Sequence, residues 1–183
     1  IQPMREGAVS IVYNGEIYNY RELKSAHLGG EIFVSKTDTE VVIKLYRKFG
    51  ESFVSHLNGD FAISILDREK AQLTLIRDRM GVKPFYIYES DGVFAFASEI
   101  KSFSKAGLKL TYRDDMLGKF LVFKYSPGQN TLYQEVRRLE PGSLLCLDLD
   151  SGKTLEKRYW KLDEEIKPFT GGFDQAKNEL RER

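Results

Sequence analysis

A short run of residues near the start of the sequence could stabilise a developing negative charge: Tyr13-Asn14-Gly15-Glu16. The side-chain N–H of Asn14 and the backbone N–H of Gly15 are neighbouring donors that can converge on one oxygen. Acyl transfer needs this arrangement around the oxyanion of a tetrahedral intermediate, where losing one donor costs about 3 kcal/mol. Asn-Gly is also the dipeptide most typical of a tight β-turn, and on its own it favours that interpretation.

A carboxylate that could bind a substrate follows at Asp38, within the run Lys36-Thr37-Asp38-Thr39-Glu40. A charge-assisted hydrogen bond between a carboxylate and an ammonium group is among the stronger polar contacts. The local alternative is that Asp38 stabilises the N-terminus of the following helix through the helix dipole. From the spacing alone, the local alternative is favoured.

The elements that must position these residues are predicted from hydrophobic periodicity and turn signals. The Thr37-x-x-Glu40 spacing predicts a capping box, and apolar residues up to Phe49 repeat at helical spacing, so we expect a helix that ends at Gly50. Other signals predict strands over 8–13 and 32–34, hairpins over 61–76, 84–97 and 143–160, and short helices over 20–24, 99–104 and 114–121. Asn19 is expected to cap the first of these helices. Antiparallel hairpins with helices over their faces define an α+β fold.

The composition narrows the class of protein. The chain has 28 basic and 27 acidic residues without a basic block, so nucleic-acid binding is not expected. No apolar run reaches the roughly 18 residues that a membrane span needs. The single cysteine, Cys146, excludes an internal disulfide and is compatible with a cytoplasmic location. His27 and His56 have no cysteine or acid at metal-ligand spacing, so no metal site is predicted.

Four segments taken together resemble the class II glutamine amidotransferase domain, and in order and spacing they look most like the asparagine synthetases. They are Asn-Gly-Glu-Ile-Tyr-Asn at 14–19, Lys-Thr-Asp-Thr-Glu-Val at 36–41, Leu-Asn-Gly-Asp-Phe-Ala at 57–62 and Arg-Asp-Arg-Met-Gly-Val-Lys-Pro-Phe-Tyr at 77–86. The resemblance continues through 96–101 and 139–143 to Tyr159-Trp160, and so covers most of the chain. It implies a four-layer αββα sandwich of the N-terminal nucleophile hydrolase type, with its N-terminal portion missing.

The resemblance also implies a role for each candidate residue. Asn14 and Gly15 match the oxyanion hole, Glu16 helps to hold the amino group of the substrate, and Asp38 pairs with the substrate α-ammonium. In this family the nucleophile is a cysteine exposed as the first residue, with its own α-amino group as the base.

That cysteine, and the arginine that holds the substrate α-carboxylate, would precede Ile1. We therefore expect the chain to be inactive as a glutaminase by itself. Cys146 lies in the middle of a predicted strand with no free amine beside it, so it is predicted to be a buried core thiol.

The predicted organisation is a partial glutaminase domain over residues 1–162, followed at 163–183 by a linker and the start of an absent C-terminal synthetase domain. The implied substrate is L-glutamine, with no cofactor in this domain and with ATP and Mg²⁺ in the synthetase domain, which would activate aspartate for amidation. The family commonly forms dimers, and exposed sheet edges favour self-association, so a homodimer is compatible with the sequence.

Two alternatives stay open. The chain could be the amidotransferase domain of another biosynthetic enzyme, because the domain that determines the ammonia acceptor is absent from the sequence. It could instead be a vestigial, non-catalytic domain of the same fold, as in the β-lactam synthetases that resemble this family. The intact Asn14, Gly15 and Asp38 argue against the vestigial alternative.

Overall fold

A computed structural model describes residues 2–165 and 168–182. Its strands are β1 (Met4–Glu6), β2 (Val9–Ile17), β3 (Gly59–Asp67), β4 (Gln72–Arg77), β5 (Tyr86–Ser90), β6 (Val93–Ala97), β7 (Val136–Arg138), β8 (Ser143–Asp148) and β9 (Thr154–Arg158). Its α-helices are α1 (Tyr20–His27), α2 (Asp38–Phe49), α3 (Lys101–Lys105), α4 (Asp114–Phe123), α5 (Leu162–Glu165) and α6 (Phe173–Glu182), with a 3₁₀ helix at Gly50–His56. In the described ranges, no helix is both long and apolar enough to span a membrane.

The strands form two antiparallel sheets. The larger has the order β1-β2-β3-β4-β8-β9 and the smaller the order β6-β5-β7. Apolar clusters join the layers: Ile43 of α2 packs in one cluster with Ile63 of β3, Leu75 of β4 packs with Ile87 of β5 between the sheets, and the other side of β5 packs against Phe103 of α3. Full burial of one such side chain contributes about 1.5–3 kcal/mol. The predicted α+β four-layer sandwich is confirmed.

Most of the predicted elements are present. The hairpins over 61–76, 84–97 and 143–160 are confirmed as the pairs β3–β4, β5–β6 and β8–β9. The helix α2 is also confirmed, and it ends at Gly50, whose φ of 59° is the left-handed conformation that glycine adopts without a steric cost. The charged C-terminal segment forms α6.

The expected turn at Asn14-Gly15 is wrong, because β2 continues through it. The pairing of β2 with β3 runs without a break from Val9 opposite Asp67 to Ile17 opposite Gly59. Gly15 has a φ of 145°, and a Cβ atom there would lie 2.0 Å from the backbone oxygen of Asp60. The glycine is therefore needed for the close approach of two strands, which sequence spacing cannot distinguish from a turn.

The outer edge of β2 is only partly covered. β1 pairs with β2 from Glu6, opposite Val9, to Met4, opposite Ile11. Beyond β1, the side-chain carboxamide of Gln2 replaces a peptide group: its Nε2 donates to the Tyr13 oxygen at 2.7 Å, and its Oε1 accepts from the Tyr13 N–H at 2.7 Å. One side chain thus extends the ladder by one step.

The segment between α1 and α2 contains no strand, so the strand predicted over 32–34 is wrong. Ile32 and Val34 are almost fully exposed, at 84% and 93%, and no neighbouring strand gives them an apolar face to pack on. The apolar spacing resembled a strand, but a strand also needs a partner.

The two predicted N-terminal caps are also wrong. Thr37 precedes α2 without a side-chain capping bond, and the Glu40 carboxylate binds the preceding loop instead. Asn19 precedes α1 without capping it, because its carboxamide binds the backbone of His56 and Asn58. Asn19 thus makes a tertiary contact in place of the cap, and Glu40 makes a different local contact.

Candidate active site

Three of the four predicted site residues line one cleft of about 330 Å³, within the size range of small-molecule pockets. Gly15 and Glu16 reach it from β2, and Asp38 reaches it from the first turn of α2. The remaining lining residues are Tyr20, Lys36 and Thr37. The cleft is therefore built where the end of β2, the start of α1 and the start of α2 meet.

Asn14, the fourth predicted residue, is exposed on β2 directly beside this cleft. Its Nδ2 donates a hydrogen bond of 3.3 Å to the hydroxyl oxygen of Ser98, which follows β6 in the smaller sheet. A carboxamide nitrogen carries two hydrogens, so this bond orients the group and leaves one N–H for a ligand. The sequence showed Ser98 only as part of the 96–101 segment and gave no sign that it contacts Asn14.

The backbone N–H of Gly15 points away from β3. Bonded and non-bonded pairs alternate along an antiparallel ladder. Tyr18 donates to the Asn58 oxygen at 2.8 Å, so Tyr18 and Asn58 form a hydrogen-bonded pair. Gly15 and Phe61 are three residues away along the same ladder, an odd number, so they form a non-hydrogen-bonded pair. The Gly15 N–H therefore faces the β1 side, where the pairing of β1 ends at Ile11. In the described part of the chain no strand pairs with Gly15 there, so this donor is open to a ligand.

The Asp38 carboxylate is held by three hydrogen bonds. Its Oδ2 accepts from the Tyr13 hydroxyl at 2.7 Å and from the Ile17 N–H at 3.1 Å, and its Oδ1 accepts from the Thr39 N–H at 2.8 Å. A carboxylate has about four acceptor positions, so one is left for a substrate. Burial and the bond to Asp38 raise the pKa of Tyr13 above its usual range, which keeps the hydroxyl a donor. The role of Tyr13 could not be read from the sequence.

Glu40 fixes the loop that forms one wall of the cleft. The residue is 3% exposed, and its carboxylate accepts from the Val34 N–H at 2.8 Å and from the N–H and hydroxyl of Ser35, each at 2.6 Å. Burial alone would raise the pKa of Glu40, but the bonds from Ser35 and Val34 and the nearby charge of Lys44 hold it below its ordinary value. Lys36, which lines the cleft, follows directly after this anchored segment.

The variant Glu40→Gln is expected to lower the free energy of unfolding by about 2 kcal/mol at pH 7, because its Nε2 cannot accept from these donors. Since the folded-state pKa of Glu40 is lowered, its contribution is complete above the ordinary glutamate pKa and is lost as pH falls through the lowered value. Urea unfolding at pH 7 and at pH 3 measures both effects. The exposed Glu69→Gln is the control and should change stability by less than about 0.5 kcal/mol. An equal loss in both variants, or a loss independent of pH, would contradict this role.

Cys146 is confirmed as a buried core thiol, with 6% of its surface exposed. Its Sγ donates to Glu51 Oε1 at 3.1 Å, and burial, followed by the effect of Glu51, raises the thiol pKa to about 11. It lies on β8, which β3 and β4 separate from β2. Among the residues described, no group of three or more His, Cys, Asp or Glu side chains is placed to hold a metal ion.

Comparison with known proteins identifies the family. A family model described as a glutamine amidotransferase domain matches residues 1–160. The Methanocaldococcus jannaschii protein named putative asparagine synthetase (glutamine-hydrolyzing) 2 is 38% identical over 173 residues, which are 92% of this chain and 32% of that protein. The Bacillus subtilis asparagine synthetase (glutamine-hydrolyzing) 2 is 32% identical over 165 residues, 87% of this chain and 22% of that protein. The chain thus spans about a third or less of the length of these relatives.

Two further matches differ in name. A Gibberella zeae protein named amidase chry2 is 34% identical over 160 residues, 86% of this chain and 23% of that protein. The solved glutamine phosphoribosylpyrophosphate amidotransferase of Bacillus subtilis matches with a TM-score of 0.64 at 22% identity, over 87% of this chain and 32% of that one, and it shows the shared fold. Taken with the family match over residues 1–160, the sandwich and the cleft at the end of β2 show that the chain belongs to the glutamine amidotransferase domain family.

Proposed function

We propose that this chain is the glutamine-hydrolysing domain of an asparagine synthetase, and that its cleft binds L-glutamine. The observation that carries the proposal is the meeting of Gly15, Glu16 and Asp38 in one cleft, with the Asn14 carboxamide beside it. The names of the Methanocaldococcus jannaschii and Bacillus subtilis relatives support the asparagine synthetase assignment.

In this proposal the charged end of glutamine is bound first. The α-ammonium meets the one open acceptor position of Asp38, and the exposed Glu16 carboxylate adds a second negative group in the same cleft. Tyr13 holds the Asp38 oxygen in place, so little reorganisation is needed when the substrate enters. Asp38 and Glu16 together favour a cationic amine over a neutral group.

The side-chain amide of glutamine then lies towards Asn14 and Gly15. When a thiolate adds to the amide carbon, the carbonyl oxygen becomes an oxyanion that the second Asn14 N–H and the open Gly15 N–H can stabilise. Collapse of this intermediate expels ammonia, once the base that took the thiol proton returns it to the amide nitrogen, and leaves a thioester. Water then hydrolyses the thioester to glutamate and frees the thiol. The hydrogen bond from Asn14 Nδ2 to the Ser98 hydroxyl holds the carboxamide beside the cleft.

The nucleophile in this proposal is not Cys146. A thiol with a pKa of about 11, buried and separated from β2 by two intervening strands, is neither ionised nor close to the cleft. We infer that the nucleophile, together with the group that binds the substrate α-carboxylate, lies outside these 183 residues. The chain by itself is then inactive, and Cys146→Ser leaves the chemical step of glutamine hydrolysis in the natural enzyme unchanged.

The rest of the proposed reaction belongs to another domain. There ATP and Mg²⁺ activate aspartate, and the ammonia released here amidates it. The match to amidase chry2 keeps one rival open, namely an amidotransferase domain that serves a different acceptor. A vestigial domain is disfavoured because the Asp38 carboxylate and the Asn14 carboxamide are each held by hydrogen bonds in a defined position.

Formation of glutamate and asparagine from glutamine, aspartate and ATP tests the proposal. We expect no product from the 183-residue chain, and equal amounts of glutamate and asparagine from the longest natural form of the protein. Formation of glutamate without asparagine would mean that the ammonia is transferred to an acceptor other than aspartate. If the long form produced no glutamate, the domain would be vestigial. A rate from the short chain that Asn14→Ala abolishes would overturn the nucleophile assignment. Mass spectrometry of the natural N-terminus shows whether a cysteine is exposed there.

A further inference from the structure

The helix α4 and the residues just after it carry a dense run of exposed apolar side chains. Two of them, Leu121 and Val122, are 70% and 74% exposed. Isolated apolar residues are normal on a protein surface, but a contiguous patch of them marks an interaction site. The exposed apolar residues of this patch are Leu117, Phe120, Leu121, Val122, Phe123 and Tyr125.

The helix has one side that faces the chain and one side that faces solvent. Met116 is buried and marks the side that packs on the rest of the chain. Because an α-helix has about 3.6 residues per turn, Leu117, Gly118, Leu121 and Val122 fall together on the opposite side. These four residues are called the α4 stripe below. The stripe is turned away from the described chain.

Gly118, in the middle of the stripe, is not explained by packing within the chain. Glycine is less favourable than alanine inside a helix. Apart from the adjoining stretch of the helix itself, a Cβ atom added at Gly118 would have no described atom within 4 Å. A second helix that approaches closely does explain the glycine, because a residue without a side chain leaves a gap for a side chain of the other helix.

The two ends of α4 carry opposite charges. Asp114 and Asp115 lie in its first turn, and Lys124 follows its last residue. Within the described ranges, none of these three residues has an ion-pair partner. Two copies of the helix that run in opposite directions would bring the acids of each copy near the lysine of the other, whereas parallel copies would bring like charges together.

We propose that the α4 stripe binds the same stripe of a second copy of this chain, with the two helices antiparallel. Such an interface is isologous, so each residue serves on both sides of a twofold axis. With the axis between residues 119 and 120, Leu121 of each copy fills the gap at Gly118 of the other, and Leu117 lies opposite Val122. The proposal does not depend on the glutamine chemistry, because the stripe contains none of the residues that line the first cleft.

Sedimentation equilibrium at chain concentrations up to about 1 mM measures the dissociation constant (Kd) of the dimer. Leu121→Glu should raise this Kd at least about tenfold, because a charge is then placed in an apolar contact. Leu180→Glu is the matched control, since it changes an exposed leucine on another helix, α6, and should leave the Kd unchanged. A chain that stays monomeric throughout, or a dimer that Leu121→Glu does not weaken, would overturn the proposal.

A charge exchange between copies checks the direction of the two helices. Asp114→Lys and Lys124→Glu should each weaken the dimer of identical copies, because each change removes an attraction between the copies and adds a repulsion. An equimolar mixture of the two variants should regain most of the affinity, since every reversed charge then meets an opposite charge on the other copy. A mixture that associates no better than either variant alone would rule out the antiparallel pairing.

Gly118→Ala should change two properties in opposite directions. Alanine favours the helix, so the melting temperature of the dilute, monomeric chain should rise. The added methyl group occupies the gap for Leu121, so the Kd of the dimer should also rise, which means weaker association. An unchanged or lower Kd would contradict the close approach of two helices at Gly118.

The longest natural form of the protein distinguishes the second copy from the other possible occupant, the remainder of that protein. We expect this form to dimerise as well, and Leu121→Glu to weaken its dimer as it weakens that of the chain. If only the 183-residue chain dimerises through the stripe, the remainder of the longer protein covers it, and the second copy is the wrong occupant.

Discussion

Replacing Asn14 by alanine is expected to lower kcat for glutamine hydrolysis by about 10²- to 10³-fold in the longest natural form of the protein. In the proposed mechanism Asn14 supplies one of the two donors to the oxyanion, and its hydrogen bond to Ser98 already positions the carboxamide. Because the oxyanion exists only after attack, KM should change little. Steady-state measurement of glutamate release separates the two constants.

The control for this prediction is Asn178→Ala, which removes an exposed carboxamide on α6 outside the cleft. It should leave both constants unchanged. A rise in KM without a fall in kcat would mean that Asn14 binds the ground state of the substrate, and the oxyanion role would then be wrong. A loss of activity with a parallel loss of folded protein would instead assign Asn14 a structural role, so the thermal stability of each variant is measured beside its rate.

The second large effect is expected for Asp38→Asn. The variant should raise KM for glutamine by about 10- to 100-fold, because a charge-assisted bond to the α-ammonium is lost. It should also lower the free energy of unfolding by about 1–3 kcal/mol, since the new amide nitrogen cannot accept from Tyr13 and Ile17, or from Thr39 if the group is turned over. In the proposed function, one carboxylate both binds the substrate and holds the surrounding strand and helix, so the variant is expected to change both quantities.

Asp114→Asn is the matched control, since Asp114 begins α4 as Asp38 begins α2. If Asp38 acted only through the helix dipole, the two variants would lose similar stability, about 0.3–1 kcal/mol, and neither would change KM. A tenfold or larger rise in KM for Asp38→Asn alone supports substrate binding. Equal, small effects in both would establish the local interpretation that the sequence spacing favoured.

Prediction of secondary structure from the sequence was most accurate for elements that depend on residues close together in the chain. The α2 helix and the three hairpins are set by periodicity and turn residues that act over a few positions, and all of them are present. Asn14-Gly15 failed as a turn because the glycine is needed by a strand about 45 residues away, at Asp60. Glu40 failed as half of a capping box for a different reason: its carboxylate binds the backbone of Val34 and Ser35 in the adjoining loop, so one local contact replaced another.

The residues of the candidate site could be predicted from the sequence, but the residues that hold them in position could not. The resemblance pointed to Gly15, Glu16 and Asp38, and the structure brings them to one cleft; their roles stay predictions. Tyr13 and Ser98 were missed, because a tyrosine in an apolar strand and a serine after another strand carry no signal of contact with a distant carboxylate or carboxamide. Such supports depend on how the two sheets are placed, which no short motif encodes.

The partly covered edge of β2 has a consequence for regulation. The strand ladder beyond β1 is extended only by the Gln2 side chain, and the next inward step along that edge is the Gly15 N–H. A strand from another molecule that continued this ladder would take that N–H as a hydrogen-bond donor. In the proposed mechanism, strand pairing that reaches Gly15 along this edge and oxyanion stabilisation by Gly15 therefore exclude each other. A peptide added at this edge would act as an inhibitor that resembles neither glutamine nor its transition state.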